Sequence, residues 1–306
     1  MIYTCTLNPA IDYKINVDLI HVGDLNRFSK GTFLSGGKGI NVSIALKKIG
    51  IKSTCTGFIG GFTGAYIQSE LENRHGLTQD FVPVKNDTRL NIKIMGQPTE
   101  TELNHDGNII FDSEKDALLE KIKQYKTGDI LICGGSSAKG QPDLYQEIAS
   151  ICEKNHVRLV MDTPGIYMSQ FLSHHPFLIK PNVHELSEYF NRKLTNLSEI
   201  ILYGRKLLEV GAENVLISMG SEGSVLITQH HIYRASTLSN LVKNTVGAGD
   251  SMVAGFIAGY EQTRDLQEAY RSAVALASAT TFGDELADPN LYHKLLKSIQ
   301  IKEIHS

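Results

Sequence analysis

Asp129-Ile130-Leu131-Ile132-Cys133 runs into a loop of small residues, then a helical period over Asp143–Asn155, then Arg158-Leu159-Val160-Met161. Two unbroken apolar stretches of strand length flank one amphipathic helix. Strands apolar on both faces belong to parallel sheets covered by helices, and a strand–helix–strand run is the unit that builds them. The rhythm extends outward from this unit. Helices are expected at Glu114–Tyr125, Asn196–Val210 and Ser251–Gly259, and strands at Phe177–Ile179 and Val215–Ser218. Upstream, Ile2–Leu7 and Ser53–Ile59 read as strands, and Gly39–Ile49 and Gly64–Arg74 as helices. Ser224–Thr228 and His231–Ala235 read as an antiparallel hairpin, and Ala269–Thr281 and Leu291–Ser298 as a helical tail. The fold class is therefore α/β, doubly wound, with a mostly parallel sheet and helices on both faces. Short strands at Asp12–Asp18, Gly31–Leu34, Asp80–Val84 and Arg89–Met95 fall outside that rhythm.

The bulk properties agree. The chain has 306 residues, 42% of them hydrophobic, which suits one large α/β domain. A formal net charge of −3 gives no reason to expect nucleic-acid or membrane binding. No run reaches the roughly 18–20 apolar residues of a membrane helix, and no charged segment precedes Ile2, so neither a membrane span nor a signal peptide is expected and a cytoplasmic location is. Cys5, Cys55, Cys133 and Cys152 form no C-x-x-C pair and read as buried, reduced thiols. The adjacent pairs His174-His175 and His230-His231 lack metal-site spacing and read as surface or loop residues.

Near the C-terminal end stands Asn244-Thr245-Val246-Gly247-Ala248-Gly249-Asp250-Ser251. A loop of small residues opening a helix presents unpaired N–H groups to an anion, and glycine lets the backbone come close. A carboxylate there would repel a phosphate, so Asp250 reads either as a helix cap or as a base for a hydroxyl that attacks that phosphate. Near the other end stands Ser35-Gly36-Gly37-Lys38-Gly39-Ile40-Asn41-Val42. It is no Walker A loop, because Gly39 follows Lys38, and it lacks the G-x-G-x-x-G of a dinucleotide site.

As a pair, in this order and at this spacing, the two motifs resemble the signatures of the ribokinase-like (PfkB) carbohydrate kinases. The resemblance covers essentially the whole chain. It implies one ribokinase-like kinase domain over residues 1–306, with a small β-sheet lid formed by roughly 13–34 and 89–102. It implies an enzyme using ATP and Mg²⁺, with Asp250 as general base and Gly247, Ala248 and Gly249 as the anion hole. Lys180-Pro181-Asn182-Val183-His184-Glu185 carries two oxygen side chains on one face of a helix start. By itself this is a capping box or a hard-ligand pair. The resemblance makes Asn182 and Glu185 the Mg²⁺ element, through water, with Lys180 near the nucleotide phosphates. Ser218, Gly220, Ser221 and Gly223, in a glycine turn at a strand's carboxyl end, would border the ATP.

On the sugar side the resemblance assigns Asp12, Gly37 and Asn41. Arg27, Lys38 and Arg89 suit a substrate that already carries a phosphate. Ser136 matches a substrate-contacting serine, although the usual Ser-Gly-Ser-Leu-Pro-Pro-Gly is here Gly134-Gly135-Ser136-Ser137-Ala138-Lys139-Gly140. The segments Thr6–Asp12 and Thr88–Ile94 match the branch acting on ketohexose phosphates, with fructose 1-phosphate favoured and tagatose 6-phosphate the alternative. A free-sugar or nucleoside kinase, or a binding protein that has lost catalysis, fits these residues less well. A homodimer through the lid is a further implication.

Overall fold

The computed structural model describes residues 1–96, 100–238 and 242–304. In chain order the elements are β1 (Ile2–Thr6), β2 (Ala10–Asn16), β3 (Gly31–Gly36), α1 (Lys38–Lys48), β4 (Thr54–Gly60), α2 (Gly61–Asn73), β5 (Thr78–Gln79), β6 (Val82–Val84), β7 (Arg89–Met95) and β8 (Glu100–Leu103). There follow α3 (Asp112–Ile122), β9 (Ile130–Gly134), α4 (Leu144–Lys154), β10 (Arg158–Asp162), β11 (Leu178–Ile179), α5 (Val183–Tyr189), α6 (Leu197–Val210) and β12 (Asn214–Ser218). The chain closes with β13 (Ser224–Thr228), β14 (Ile232–Ala235), α7 (Ala248–Thr263), α8 (Leu266–Phe282), α9 (Pro289–Leu296) and β15 (Lys302–Glu303).

The large sheet runs β15-β14-β13-β12-β11-β10-β9-β1-β4-β5, with β6 also on β4. From β5 to β12 every pairing is parallel; β13, β14 and β15 add an antiparallel edge. All five residues of β9 are buried, as the unbroken apolar run requires. One face packs under α3, α4 and α6, through Leu118, Ile148 and Leu207. The other packs under α1, α7, α8 and α9, through Leu46, Phe256, Leu276 and Leu295. α7 and α8 touch at backbone distance: a Cβ at Gly255 would meet the Ser272 carbonyl at 2.5 Å. This apposition pins α7, whose first turn carries the Gly-Ala-Gly-Asp motif.

A separate sheet, β3-β2-β7-β8, stands beside the large one and forms the lid. β2 and β7 pair in parallel although 73 residues separate Asn16 from Arg89 in numbering, so the lid joins two distant parts of the chain. The expected lid segments, 13–34 and 89–102, contribute β2, β3, β7 and β8, while 17–30 contributes no strand and 97–99 lie outside the described residues. Stacked rings of Tyr13 and Phe33, 4.3 Å apart, brace β2 against β3.

Some boundaries differ from the sequence reading. α7 starts three residues earlier than expected because Gly247 caps it in a left-handed conformation, φ 76°. Of the expected strand Asp80–Val84 only Val82–Val84 forms a strand, β6; Asp80 instead extends the pairing of β5, Thr78–Gln79, with β4 through its N–H to the Cys55 carbonyl. The run expected from Asp12 begins at Ala10. All four cysteines are buried and unbridged. Among the described residues no helix is long and apolar enough to cross a membrane.

Candidate active site

The carboxyl ends of β10 and β12 and the N-termini of α1, α5 and α7 converge on one cleft. Open α/β sheets bind ligands at such ends. Asp250 sits in the first turn of α7 and is 6% exposed. It makes no capping bond to that helix. Its Oδ2 instead accepts from Asn41 Nδ2, on α1, at 2.8 Å. Burial, and then the charge of Asp162, push its carboxyl up from 3.8 to about 6, against the pull of Asn41, Lys38 and Lys180. The N–H groups of Gly249 and Asp250 have no acceptor among the described residues, so the helix start is open toward the cleft.

Asn182 and Glu185 do form the capping box. Asn182 Oδ1 accepts from the Glu185 N–H, and Glu185 Oε2 from the Asn182 N–H, each at 2.8 Å. That consumes one carboxylate oxygen. The other, Oε1, lies 3.7 Å from Lys38 Nζ. The capping box therefore leaves Oε1 of the carboxylate unused by the helix.

Asp162, at the end of β10, escaped the sequence reading. It is 3% exposed and holds two cations, the half-buried Lys38 with Nζ at 2.8 Å and the buried Lys180 with Nζ at 3.3 Å. Burial works to raise its carboxyl, but Lys180 and Lys38 outweigh it and hold it below the usual carboxylate range. Burial likewise works to lower the Lys38 ammonium, and Asp162 and Glu185 raise it well above the ordinary lysine range. Lys180 also flanks the helix start, since a Cβ at Gly249 would stand 3.2 Å from Nζ. Asp162 ends an apolar strand, where open α/β sheets bind ligands, but a single acid at a strand end makes no motif.

Beyond this cluster opens a cavity of about 570 Å³. Asn182, Ser218, Gly220, Ser221, Gly223 and Gly249 line its polar side. Leu238, Val242, Met252, Val274 and Phe282 form an apolar wall that no motif announced. Gly223 takes φ 91°, and a Cβ there would meet the Ala235 carbonyl at 2.1 Å, so the turn requires glycine.

The other side of the cleft belongs to the lid. Asp12 Oδ1 accepts from Asn91 Nδ2 at 2.8 Å. Gly37, φ 133°, turns the chain from β3 into α1, where a Cβ would strike Thr6 at 2.5 Å. Arg89 Nη1 donates to the His105 carbonyl at 2.8 Å, while its buried Nε has no partner among the described residues. Ser136 Oγ accepts from Asn8 Nδ2 at 3.0 Å. The three expected phosphate-gripping cations have separate surroundings. Lys38 faces Asp162 and Glu185, Arg89 faces Asp12 and the 105–106 segment, and Arg27 is exposed in the β2–β3 connection.

The profile of the pfkB family carbohydrate kinases matches residues 5–290. The chain belongs to that family. Its pfkB relatives include the 1-phosphofructokinase of Bacillus subtilis, 42% identical over 99% of this chain and 100% of the relative. The D-tagatose-1-phosphate kinase of Bacillus licheniformis is 37% identical over 99% and 100%. Among solved pfkB structures, phosphofructokinase-2 from Escherichia coli in complex with fructose-6-phosphate superposes with a TM-score of 0.90 at 27% identity, covering 97% of this chain and 98% of that one. As a pfkB enzyme the protein is an ATP-dependent sugar or sugar-phosphate kinase, and the α/β fold with its four-stranded lid is the family's.

Proposed function

We propose that the protein phosphorylates fructose 1-phosphate at the 6-hydroxyl, giving fructose 1,6-bisphosphate and ADP. The observation that carries the chemistry is Asp250: a buried carboxylate, held by Asn41 and lifted toward neutrality, beside the unpaired N–H groups of a helix start. It is suited to take the hydroxyl proton as the sugar oxygen bonds to the γ-phosphorus and the bond to the ADP oxygen breaks. The backbone of Gly247, Ala248 and Gly249 receives the charge on the transferring group. ATP occupies the cavity walled by Ser218, Gly220, Ser221 and Gly223, with its phosphates toward Lys180. Asp12, Gly37 and Asn41 hold the sugar, and Arg89, Ser136, Lys38 and Arg27 serve its phosphate.

Glu185 Oε1 remains outside the capping box, and this fits Mg²⁺, which keeps most of its waters and takes one or two carboxylates. With Asn182 it would hold the ion through water. Bound there, Mg²⁺ would neutralise charge on the phosphates.

Identity of 42% to a 1-phosphofructokinase supports the 1-phosphate as substrate. D-Tagatose 1-phosphate is the second reading, supported by the 37% identity of its kinase. Both sugars present the same phosphate and the same terminal hydroxyl, so the grip on the ring decides. The exposed Phe33, Leu34 and Leu103 of the lid support pairing with a second copy. The test is ³¹P NMR of the product from ATP, Mg²⁺ and fructose 1-phosphate. Two phosphomonoester signals of the bisphosphate support the reading, and ATP loss without them overturns it.

A further inference from the structure

Asn91 stands opposite Asp12 in the parallel register of β7 and β2, where Ala10 pairs with Arg89 and Ile11 with Leu90. Register partners share a face, and faces alternate along a strand. Ile11 and Leu90 turn to the core with Ile40 and Ile44. Asp12, Asn91 and Arg89 turn the other way, toward the cleft. Asn91 is 6% exposed, and both polar atoms of its amide are engaged. Nδ2 donates to Asp12 Oδ1 at 2.8 Å, and Oδ1 accepts from the His105 N–H at 3.1 Å. Arg89 donates to the carbonyl of the same His105. Asp12 Oδ2, the free oxygen, faces Gly36, where a Cβ would come within 3.2 Å.

A carboxylate turns easily about its terminal torsion, which has broad wells. Its direction must be set by a fixed donor. We propose that Asn91 is a positioning residue for sugar binding: it locks Asp12 so that Oδ2 is offered to a sugar hydroxyl, and it ties that carboxylate to the segment backing Arg89. The role needs a neutral amide, with one atom donating and the other accepting. The inference rests on Asp12 being a sugar ligand, as proposed above.

Two substitutions separate this role from a structural one. In Asn91→Asp the side chain can still accept from His105, but it sets a second carboxylate against Asp12. In Asn91→Ala both bonds are lost. If Asn91 only anchored the His105 segment, alanine would be the worse change. Positioning of Asp12 predicts the opposite order. Asn91→Asp should raise KM for the sugar phosphate by roughly tenfold or more, the scale of a hydrogen bond to a charged group, and by more than Asn91→Ala. KM for ATP should stay within about twofold, since uniform sugar binding alone is weakened. In an Asp12→Asn background, Asn91→Asp should cost nothing further, because the amide then at position 12 can donate to the carboxylate at 91.

Alanine worse than aspartate, a parallel rise in KM for ATP, or an undiminished cost in the Asp12→Asn background would each overturn the proposal. If Asn91→Asp does not fold, Asn91→Ala is paired with Asp12→Asn: a combined effect no larger than that of Asp12→Asn supports positioning, and additive effects refute it. Each variant is also read by the thermal shift that fructose 1-phosphate induces, which needs no turnover. A wild-type enzyme that binds no ketohexose phosphate would refute the proposed function instead.

Discussion

Asp250→Asn should make the protein more stable and nearly inactive, and the stability gain should depend on pH. The carboxyl is lifted from 3.8 to about 6, chiefly by burial and then by Asp162. Its charged form is therefore disfavoured in the folded protein by about 3 kcal/mol, at 1.36 kcal/mol per pH unit. The sign follows from linkage. Below about pH 4 the group is protonated in both states and contributes no penalty; as pH rises through the unfolded and then the folded value, the folded protein loses stability, and above about pH 7 the full penalty applies. Asparagine has the same shape, carries no charge and can still accept from Asn41. The variant should match the wild type near about pH 4 and exceed it by about 3 kcal/mol near about pH 8, or roughly 5 °C in Tm. Removing the base should lower kcat by roughly 10²–10⁴-fold with ATP binding retained. Paired thermal melts from pH 4 to pH 8, about 0.5 unit apart, read the first claim and a coupled assay the second. A gain that is constant with pH, or a loss of stability at high pH, would refute the electrostatic argument. Near-wild-type turnover would refute the base.

Two further outcomes follow from the same geometry. Arg89→Ala should raise KM for the sugar phosphate while KM for ATP barely moves, because Arg89 belongs to the lid side of the cleft; steady-state kinetics with each substrate varied checks this, and a parallel rise in both contradicts it. Asp162→Asn should lower the Asp250 midpoint below about 6, since the Asp162 charge raises it and Lys38 and Lys180 then act on Asp250 without that opposing charge. A ¹³C carboxyl titration of the unliganded protein reads the shift, and an unchanged or higher midpoint would mean that Asp162 does not face Asp250 as the structure has it.

The layered fold was legible in the sequence because β9, β10 and β12 are buried on both faces and so read as apolar runs of strand length. The Gly-Ala-Gly-Asp loop was legible because glycine and a small side chain are the backbone's own requirement at such a helix start. The cap-or-base ambiguity of Asp250 was not resolvable there. In the structure the carboxylate accepts from Asn41, 209 residues away in sequence, and makes no capping bond, while the base role is the proposal. At Asn182 and Glu185 the structure has the capping box, and because that box uses one of the two carboxylate oxygens it does not exclude the proposed metal role. Asp162 was hidden because a single acid at a strand end carries no pattern. Only the fold reveals that Lys38 and Lys180, from two other elements, both lean on it. The same holds for Asn91, whose sequence neighbours were noticed while its own bonds, to Asp12 and His105, depend on a parallel pairing that no local signal encodes.

The most direct test of the proposed function is kcat/KM with ATP and Mg²⁺ for fructose 1-phosphate, tagatose 1-phosphate, tagatose 6-phosphate, fructose 6-phosphate and free fructose, run side by side. A clear preference for fructose 1-phosphate is the predicted result. A preference for a 6-phosphate would contradict it by placing the proposed phosphate-binding residues at the other end of the substrate, and a preference for free fructose would contradict it by leaving Arg27, Lys38 and Arg89 no phosphate to bind.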